Sequence, residues 1–304
     1  MKSRNYLKIH LLLVLSSLLL SFSAHTQETV VDTLVSIGSH NLHFTYYQGE
    51  GIPILFEAGA GDDGSSWSEL AKEVHKLLGT SVIYYDRSGF GTSELNPYLE
   101  NDNDFGIING ITELEKGLEA LNFNEDIIIV SHSYGGFYST LYSARNPDKV
   151  KYNIRIDANL AKQYRLDVLK KVEQDTSLNE LKNHSLGTYY LGTNFANTVR
   201  HMWAIEYPEN VPAIDIVSPI QRHHTNEEWQ LLLTTHQDFV DESENRFGIT
   251  AHGCGHYIHK DNPELILYII AKAYLSTISE ENFKIKILSK LLDKSIVELK
   301  NKSD

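Results

Sequence analysis

Short apolar runs recur along the chain, most of them followed by a stretch in which apolar residues return every three or four positions. Residues 30–37 and 42–47 read as two β-strands, with Gly38, Ser39, His40 and Asn41 between them as a hairpin turn. Residues 52–56 form a short apolar strand. Over 66–78, Trp67, Leu70, Ala71, Val74, Leu77 and Leu78 then fall on one helical face, with Ser66 and Glu69 as a capping box and Gly79 as the stop. The same pairing returns as a strand over 81–85 and a helix over 111–121. It returns again as a buried strand over 126–130 and a helix over 134–145, stopped by Asn146-Pro147. Residues 154–156 and 213–217 are further short strands, and 264–278 is a strongly apolar helix. Alternation of this kind predicts an α/β fold with a mostly parallel central sheet covered by helices on both faces. In such sheets ligands sit beyond the carboxyl ends of the strands, so the chemistry is sought just after each apolar run.

One interval breaks the alternation. Residues 158–211 lie between two late strands, carry mostly helical patterning, and include Tyr164, Tyr189, Tyr190, Phe195, Trp203 and Tyr207. An insertion there is expected to lie over the site as a lid. Its aromatic residues either line a substrate pocket, with Tyr189 and Trp203 as the contacts, or hold the lid onto the body. The ends differ from the body too. Lys2, Arg4 and Lys8 precede an apolar run interrupted by His10, Ser16 and Ser17, and small residues follow, which reads as a signal peptide over 1–26. The run is too short and broken to span a bilayer, so export as a soluble periplasmic or secreted protein without stable membrane anchoring is expected. The resulting division is 27–157 and 212–278 as two parts of one core, 158–211 as lid, and 279–304 as a helical extension. In that extension Ile285, Leu288, Leu292 and Leu299 share a face.

Composition narrows the function. The chain has 304 residues, 41% apolar and 22% charged, with a formal net charge of −13. Loss of the signal peptide would make the remainder still more acidic. A nucleic-acid partner is excluded on this ground, because such binding needs a basic face to displace counterions. A single cysteine, Cys254, leaves no intramolecular disulfide and reads as a small packing residue. No repeat or low-complexity tract divides the chain.

The most informative segment runs from Asp126 to Phe137 and reads DIIIVSHSYGGF: a buried strand, a sharp turn at Ser133, then a helix. A serine at such a turn is held in a strained backbone conformation that lifts its hydroxyl clear of the sheet, and small residues are needed two positions either side. Ser131 stands where the G-x-S-x-G pattern has its first glycine.

The order of elements and the segments around Gly59, Asp86, Ser133 and His256 resemble the α/β-hydrolase fold superfamily over nearly the whole chain to about residue 278. The resemblance implies a serine nucleophile with a histidine base, an orienting acid and an oxyanion hole. His256, in the loop before the last apolar helix, matches the family's base, with His252 and His259 as rivals. A zinc site on those three histidines is the competing reading; Gly253 and Gly255 make the segment a loop, against it. The acid's usual position falls on Gln221, which is no carboxylate. Asp157, directly after the 154–156 strand, matches the alternative position one strand earlier, ahead of Asp215 and Asp238. The oxyanion amides fall by alignment on Ala60 and Tyr134. Glu57 reads as a loop anchor, and Asp86 and Arg87 as structural. The implied activity is hydrolysis of a small-molecule carboxylic ester through an acyl-enzyme, with no metal or organic cofactor. The aromatic lid suggests a bulky group, a lactone such as a macrolide ring among them. An aminopeptidase or amidase, a cofactor-free peroxidase and a catalytically silent ligand-binding relative are the alternatives.

Overall fold

The chain is seen in a computed structural model that describes residues 30–221 and 225–279, together with 284, 287, 288 and 290. Eight strands make one sheet in the order β1-β2-β4-β3-β5-β6-β7-β8. They are β1 (Val30–Ser36), β2 (Asn41–Tyr47), β3 (Ile54–Glu57), β4 (Val82–Tyr85), β5 (Ile127–His132), β6 (Val150–Ile156), β7 (Ala213–Val217) and β8 (Arg246–Thr250). The first two form the expected hairpin, and β2 pairs antiparallel with β4. Every other pairing is parallel. Residues of β3, β4 and β5 are buried on both faces, which is why these strands read as unbroken apolar runs.

The helices are α1 (Ser68–Leu78), α2 (Ile107–Ala120), α3 (Gly135–Arg145), α4 (Leu166–Glu173), α5 (Leu186–Met202), α6 (Asn226–Asp241), α7 (Ile258–Asp261) and α8 (Pro263–Thr277). They divide the core in two. Ile54, Phe56, Ile128, Val130, Ile154 and Ile214 pack with α1 and α8 on one face of the sheet. Leu55, Ile83, Ile127 and Ile129 pack with α2, α3 and α5 on the other. The alternation along each strand therefore decides which helical layer a side chain meets.

Four corrections to the sequence reading follow. The expected capping box at Ser66 and Glu69 is absent. A 3-10 turn over Gly64–Trp67 precedes α1, its amide at Ser65 accepted by Asp63, and α1 itself starts without a side-chain cap. The element α6 was not anticipated, because Thr235 and His236 occupy inward positions among Trp229, Leu232 and Phe239 and dilute the apolar period. Strand β8 was missed for a related reason: it is a short edge strand, RFGIT, with Gly248 at its centre and Phe247 turned outward. In the extension, Ile287 enters the core and Lys290 caps the carbonyls of Lys76 and Leu77, while Leu288, expected on the packed face, is exposed. Ile285, Leu292 and Leu299, like the signal peptide over 1–26, lie outside the described residues. No helix among the described residues is long and apolar enough to cross a membrane.

Between β6 and β7 run the 3-10 turn Ala161–Gln163, α4, a 3-10 stretch over Thr176–Asn183, and α5. Ala196, Val199 and Met202 of α5 are buried in the second core layer. The interval 158–211 is thus helical and seated on α2 and α3.

Candidate active site

The carboxyl ends of β3, β5, β6, β7 and β8 open on one edge of the sheet. Ser133 follows β5 directly. Its φ is +51°, the left-handed region that a serine enters at a cost of about 1–3 kcal/mol. Three backbone bonds hold it there: its amide donates to the Ile156 carbonyl at 3.2 Å, and its carbonyl accepts from Gly136 at 2.9 Å and Asn159 at 2.7 Å. The crowding also explains the glycines. A Cβ on Gly135 would lie 2.7 Å from the carbonyl oxygens of Glu57 and Ala58, and one on Gly136 would lie 2.7 Å from the Ala158 Cβ. Ser131, at the first small position, is fully buried with its hydroxyl 2.9 Å from that of Ser139 on α3.

The geometry brings three of the expected residues into one line. The Ser133 hydroxyl donates to His256 Nε2 at 2.9 Å, and His256 Nδ1 donates to Asp157 Oδ2 at 2.8 Å. Asp157 ends β6 with φ +45°, its side chain wholly buried, and its other oxygen accepts the Ser218 amide at 3.2 Å. The His256 ring keeps 24% exposure, so the line opens to solvent at the base.

The rival acids are elsewhere. Asp215 accepts from His236 Nδ1 at 2.6 Å and stands 3.4 Å from the Arg155 guanidinium, all three buried on the α3 and α6 side of the sheet. Asp238 lies on the exposed side of α6. Among the rival bases, His259 is buried against Trp67, ring centroids 4.3 Å apart. Burial first, then the charges of Lys260 and His256, push its pKa down to about 3. No cluster able to hold a metal occurs among the described residues. Cys254 is buried in the core, as a packing residue would be.

Ala60 and Tyr134 lie in the loop after β3 and immediately after the nucleophile, and no hydrogen bond among the described residues uses either backbone N–H. The loop 58–61 has a stiff foundation. Glu57 accepts from Arg87 Nε at 2.7 Å and from the Tyr85 hydroxyl at 2.8 Å, while Arg87 donates to the carbonyls of Ala58 and Gly59. Asp86, beside it, accepts the amides of Gly64 and Thr92 and pairs with His43. Both acids and Arg87 are thus anchors, as read from sequence.

Tyr189 and Trp203, expected to touch substrate, make hydrogen bonds that hold the insertion in place, the first to the segment after β4 and the second within the insertion. The Tyr189 hydroxyl donates to Asp102 Oδ2 at 2.6 Å, and Trp203 Nε1 donates to the Ala161 carbonyl at 2.9 Å. One position on a helix is about 100° of rotation, and it is Tyr190, stacked on Phe105 at 3.9 Å, that faces the narrow cavity beside Tyr134. Trp203 lines a different cavity of about 420 Å³, with Phe137, Tyr207 and Phe239. Tyr164 and Phe195 pack edge to face at 5.2 Å over Phe137 and Tyr134, so these rings fasten the insertion to α3.

The cavity beside Tyr134 also contains Glu113, whose carboxyl burial pushes up to about 7, against a Ser88 hydrogen bond and the Lys116 charge. Neighbouring His40, 3.6 Å away, is pulled down by its own burial. The folded-state value of Glu113 stands above its usual 4.5. Its contribution to stability is therefore complete below that pH and lost as pH rises through 7. Glu113→Gln should remove the loss: the melting temperature of the variant relative to wild type rises between pH 5 and pH 8, whereas a constant difference in thermal unfolding would contradict this.

With this geometry in view, comparison with known proteins defines the class. The family model described as alpha/beta hydrolase fold matches residues 52–177. The chain has the α/β-hydrolase fold. It is 24% identical over 221 residues to the uncharacterized protein YqjL of Bacillus subtilis, covering 71% of this chain and 81% of that one. It is 29% identical over 131 residues to a cis-3-alkyl-4-alkyloxetan-2-one decarboxylase of Shewanella oneidensis, but this spans only 40% of this chain and 39% of the decarboxylase. Among solved structures, epoxide hydrolase I of potato, Solanum tuberosum, superposes with a TM-score of 0.62 at 17% identity, over 80% of this chain and 98% of that one.

His132 was not singled out in the sequence. Its signal was parity: as the last residue of β5 it must point to the face opposite Ser131, where the loop carrying His256 lies.

Proposed function

We propose that this hydrolase cleaves carboxylic esters by a Ser-His-Asp mechanism. Ser133 attacks the acyl carbon, His256 takes the hydroxyl proton and returns it to the leaving alcohol, and Asp157 holds His256 in the Nδ1–H tautomer and faces the imidazolium that forms. The amides of Ala60 and Tyr134 receive the oxyanion, and water then resolves the acyl-enzyme. The observation that carries the reading is the unbroken relay of 2.9 Å and 2.8 Å from hydroxyl to imidazole to buried carboxylate.

The likeness to an epoxide hydrolase does not extend to the attacking group, since opening an epoxide through an alkyl-enzyme ester needs a carboxylate at the elbow and Ser133 supplies a hydroxyl. An amide or peptide bond would use the same three residues. Export through the segment 1–26, and a lid role for 158–211 over a small ester, belong to the same proposal.

A fluorophosphonate probe tests it. Folded protein should be labelled with one adduct per chain, mapped by mass spectrometry to the peptide containing Ser133, and should hydrolyse members of a panel of short esters, long esters and lactones. Absence of an adduct on Ser133 would sink the mechanism. Turnover of aminoacyl amides in preference to every ester would move the assignment to the amidase reading.

A further inference from the structure

His132 takes no part in the proton path from Ser133 to Asp157, yet it touches both the loop that carries His256 and the oxyanion loop at Gly59. It ends β5, is 1% exposed, and shares the strand face of Ile128 and Val130, which is the layer of α1 and α8. Its Nε2 lies 3.0 Å from the backbone carbonyl of His256, and its ring centroid is 4.4 Å from that of His256. A carbonyl only accepts, so Nε2 carries a proton and donates it to this bond. On the Nδ1 side stands the oxyanion loop: a Cβ on Gly59 would lie 2.8 Å from that nitrogen. The remaining sides are closed by rings, Tyr257 and His259 each at 4.8 Å and Trp67 edge-on at 6.5 Å.

We propose that His132 is a positioning residue, which sets the separation of the base loop and the oxyanion loop from the nucleophile by donating to the His256 carbonyl and packing against Gly59. This rests on the serine-hydrolase reading of the site. The base loop needs such a tie. Its own fixings, Gly255 to Asp261 Oδ2 at 2.6 Å and Ser218 Oγ to the Cys254 carbonyl at 2.7 Å, stop short of His256. Among the described residues the bond from His132 is the one made to the backbone of His256 itself. Because His132 is covalently next to Ser133, one rigid ring fixes acceptor and donor of the 2.9 Å proton transfer relative to each other. The ring also sets how near Gly59 comes, and hence the next amide, that of Ala60.

His259 is uncharged near neutrality. The charges around the cage are Asp62, beside Gly59 and the Tyr257 hydroxyl, Lys260 over the Tyr257 ring at 4.4 Å, Asp261, and Asp157 beyond His256.

The test separates position from fold and from the mechanism. In Ser133→Ala protein labelled with 15N-histidine, His132 Nε2 should carry a proton hydrogen-bonded to the His256 carbonyl. His132→Leu in that background should weaken the hydrogen bond from His256 Nδ1 to Asp157, read from the Nδ1 proton shift, because a loosened ring loses contact with Asp157, whereas His132→Gln, which keeps a donor at the same reach, should leave that signal in place. With Ser133 intact, His132→Leu should lose about ten- to a hundredfold in kcat with KM little changed, and His132→Gln should recover most of it. If the leucine variant does not fold, Gly59→Ala, whose added methyl must push the ring aside, should reproduce the kcat loss. An unprotonated Nε2 on His132, or an unchanged His256–Asp157 hydrogen bond and kcat in His132→Leu and Gly59→Ala, overturns the proposal. If the His132 and His256 proton signals come out as expected but wild-type protein takes no fluorophosphonate and hydrolyses no ester, the positioning role stands and the serine-hydrolase reading falls.

Discussion

Asp157→Asn should fold as the wild type does and lose about four orders of magnitude in kcat, roughly 5.5 kcal/mol of transition-state stabilisation. The substitution keeps the side-chain shape, and one amide oxygen can still accept the Ser218 amide that Oδ1 accepts at 3.2 Å. What changes is the other end. A carboxylate only accepts, so it compels His256 to carry its proton on Nδ1 and leaves Nε2 bare for the Ser133 hydroxyl. The asparagine NH₂, turned toward Nδ1, donates instead and forces the proton onto Nε2, where the imidazole cannot receive another from serine. The imidazolium formed during attack also loses a charge partner 2.8 Å away in a site where that side chain has no exposure to water. Ester turnover and the rate of fluorophosphonate labelling should fall together, with thermal unfolding close to wild type. A variant within tenfold of wild-type kcat would show that another carboxylate orients the base. Loss of kcat accompanied by collapse of the melting transition would make Asp157 a structural residue instead.

How far the sequence carried depended on whether a residue's role was local. Ser133 was legible because an elbow is written in a dozen consecutive residues: four buried β-formers, a small residue either side, and a helix after. The sheet was legible for the same reason, since strands buried on both faces show as unbroken apolar runs. His256 and Asp157 came from resemblance in order and spacing, and their contact, across 99 positions of chain, is a property of strand order alone. The unread parts are those where polar residues face inward. Helix α6 hides its period because Thr235 and His236 are buried, and His236 is buried because Asp215 holds it. In the insertion, composition announced aromatic rings but not their direction: Tyr189 and Tyr190 are neighbours in the chain, yet one grips Asp102 and the other lines a cavity. His132 stayed unread because its partner is a backbone carbonyl, which leaves no mark on the sequence.

The buried carboxylate–imidazole pair of Asp215 and His236 should behave in the opposite way. Asp215→Asn is expected to cost about 3–5 kcal/mol of stability while leaving kcat of the folded protein within a few-fold of wild type. Asp215 lies on β7 opposite Arg155 on β6, and both side chains enter the layer of α3 and α6. There Arg155, with no exposure at all, donates to Thr140 Oγ1 at 2.7 Å and to the Asn159 carbonyl at 3.3 Å, and burial foremost, with the Arg246 charge behind it, disfavours its charge. The Asp215 carboxylate is the anion that compensates it, and the same carboxylate accepts the His236 proton at 2.6 Å, fastening α6 to the sheet. An asparagine leaves the guanidinium buried without a counter-charge, and that uncompensated charge is the origin of the cost. For a domain of this size the loss corresponds to a fall of about 10 °C in the melting temperature. Catalysis is spared because neither Asp215 nor His236 hydrogen-bonds any of the residues Ser133, His256 and Asp157. Chemical denaturation with activity measured at 20 °C reads both quantities on one sample. A destabilisation under 1 kcal/mol would mean that water reaches Arg155. A kcat that falls as far as that of Asp157→Asn would mean that β7, and not β6, supplies the acid.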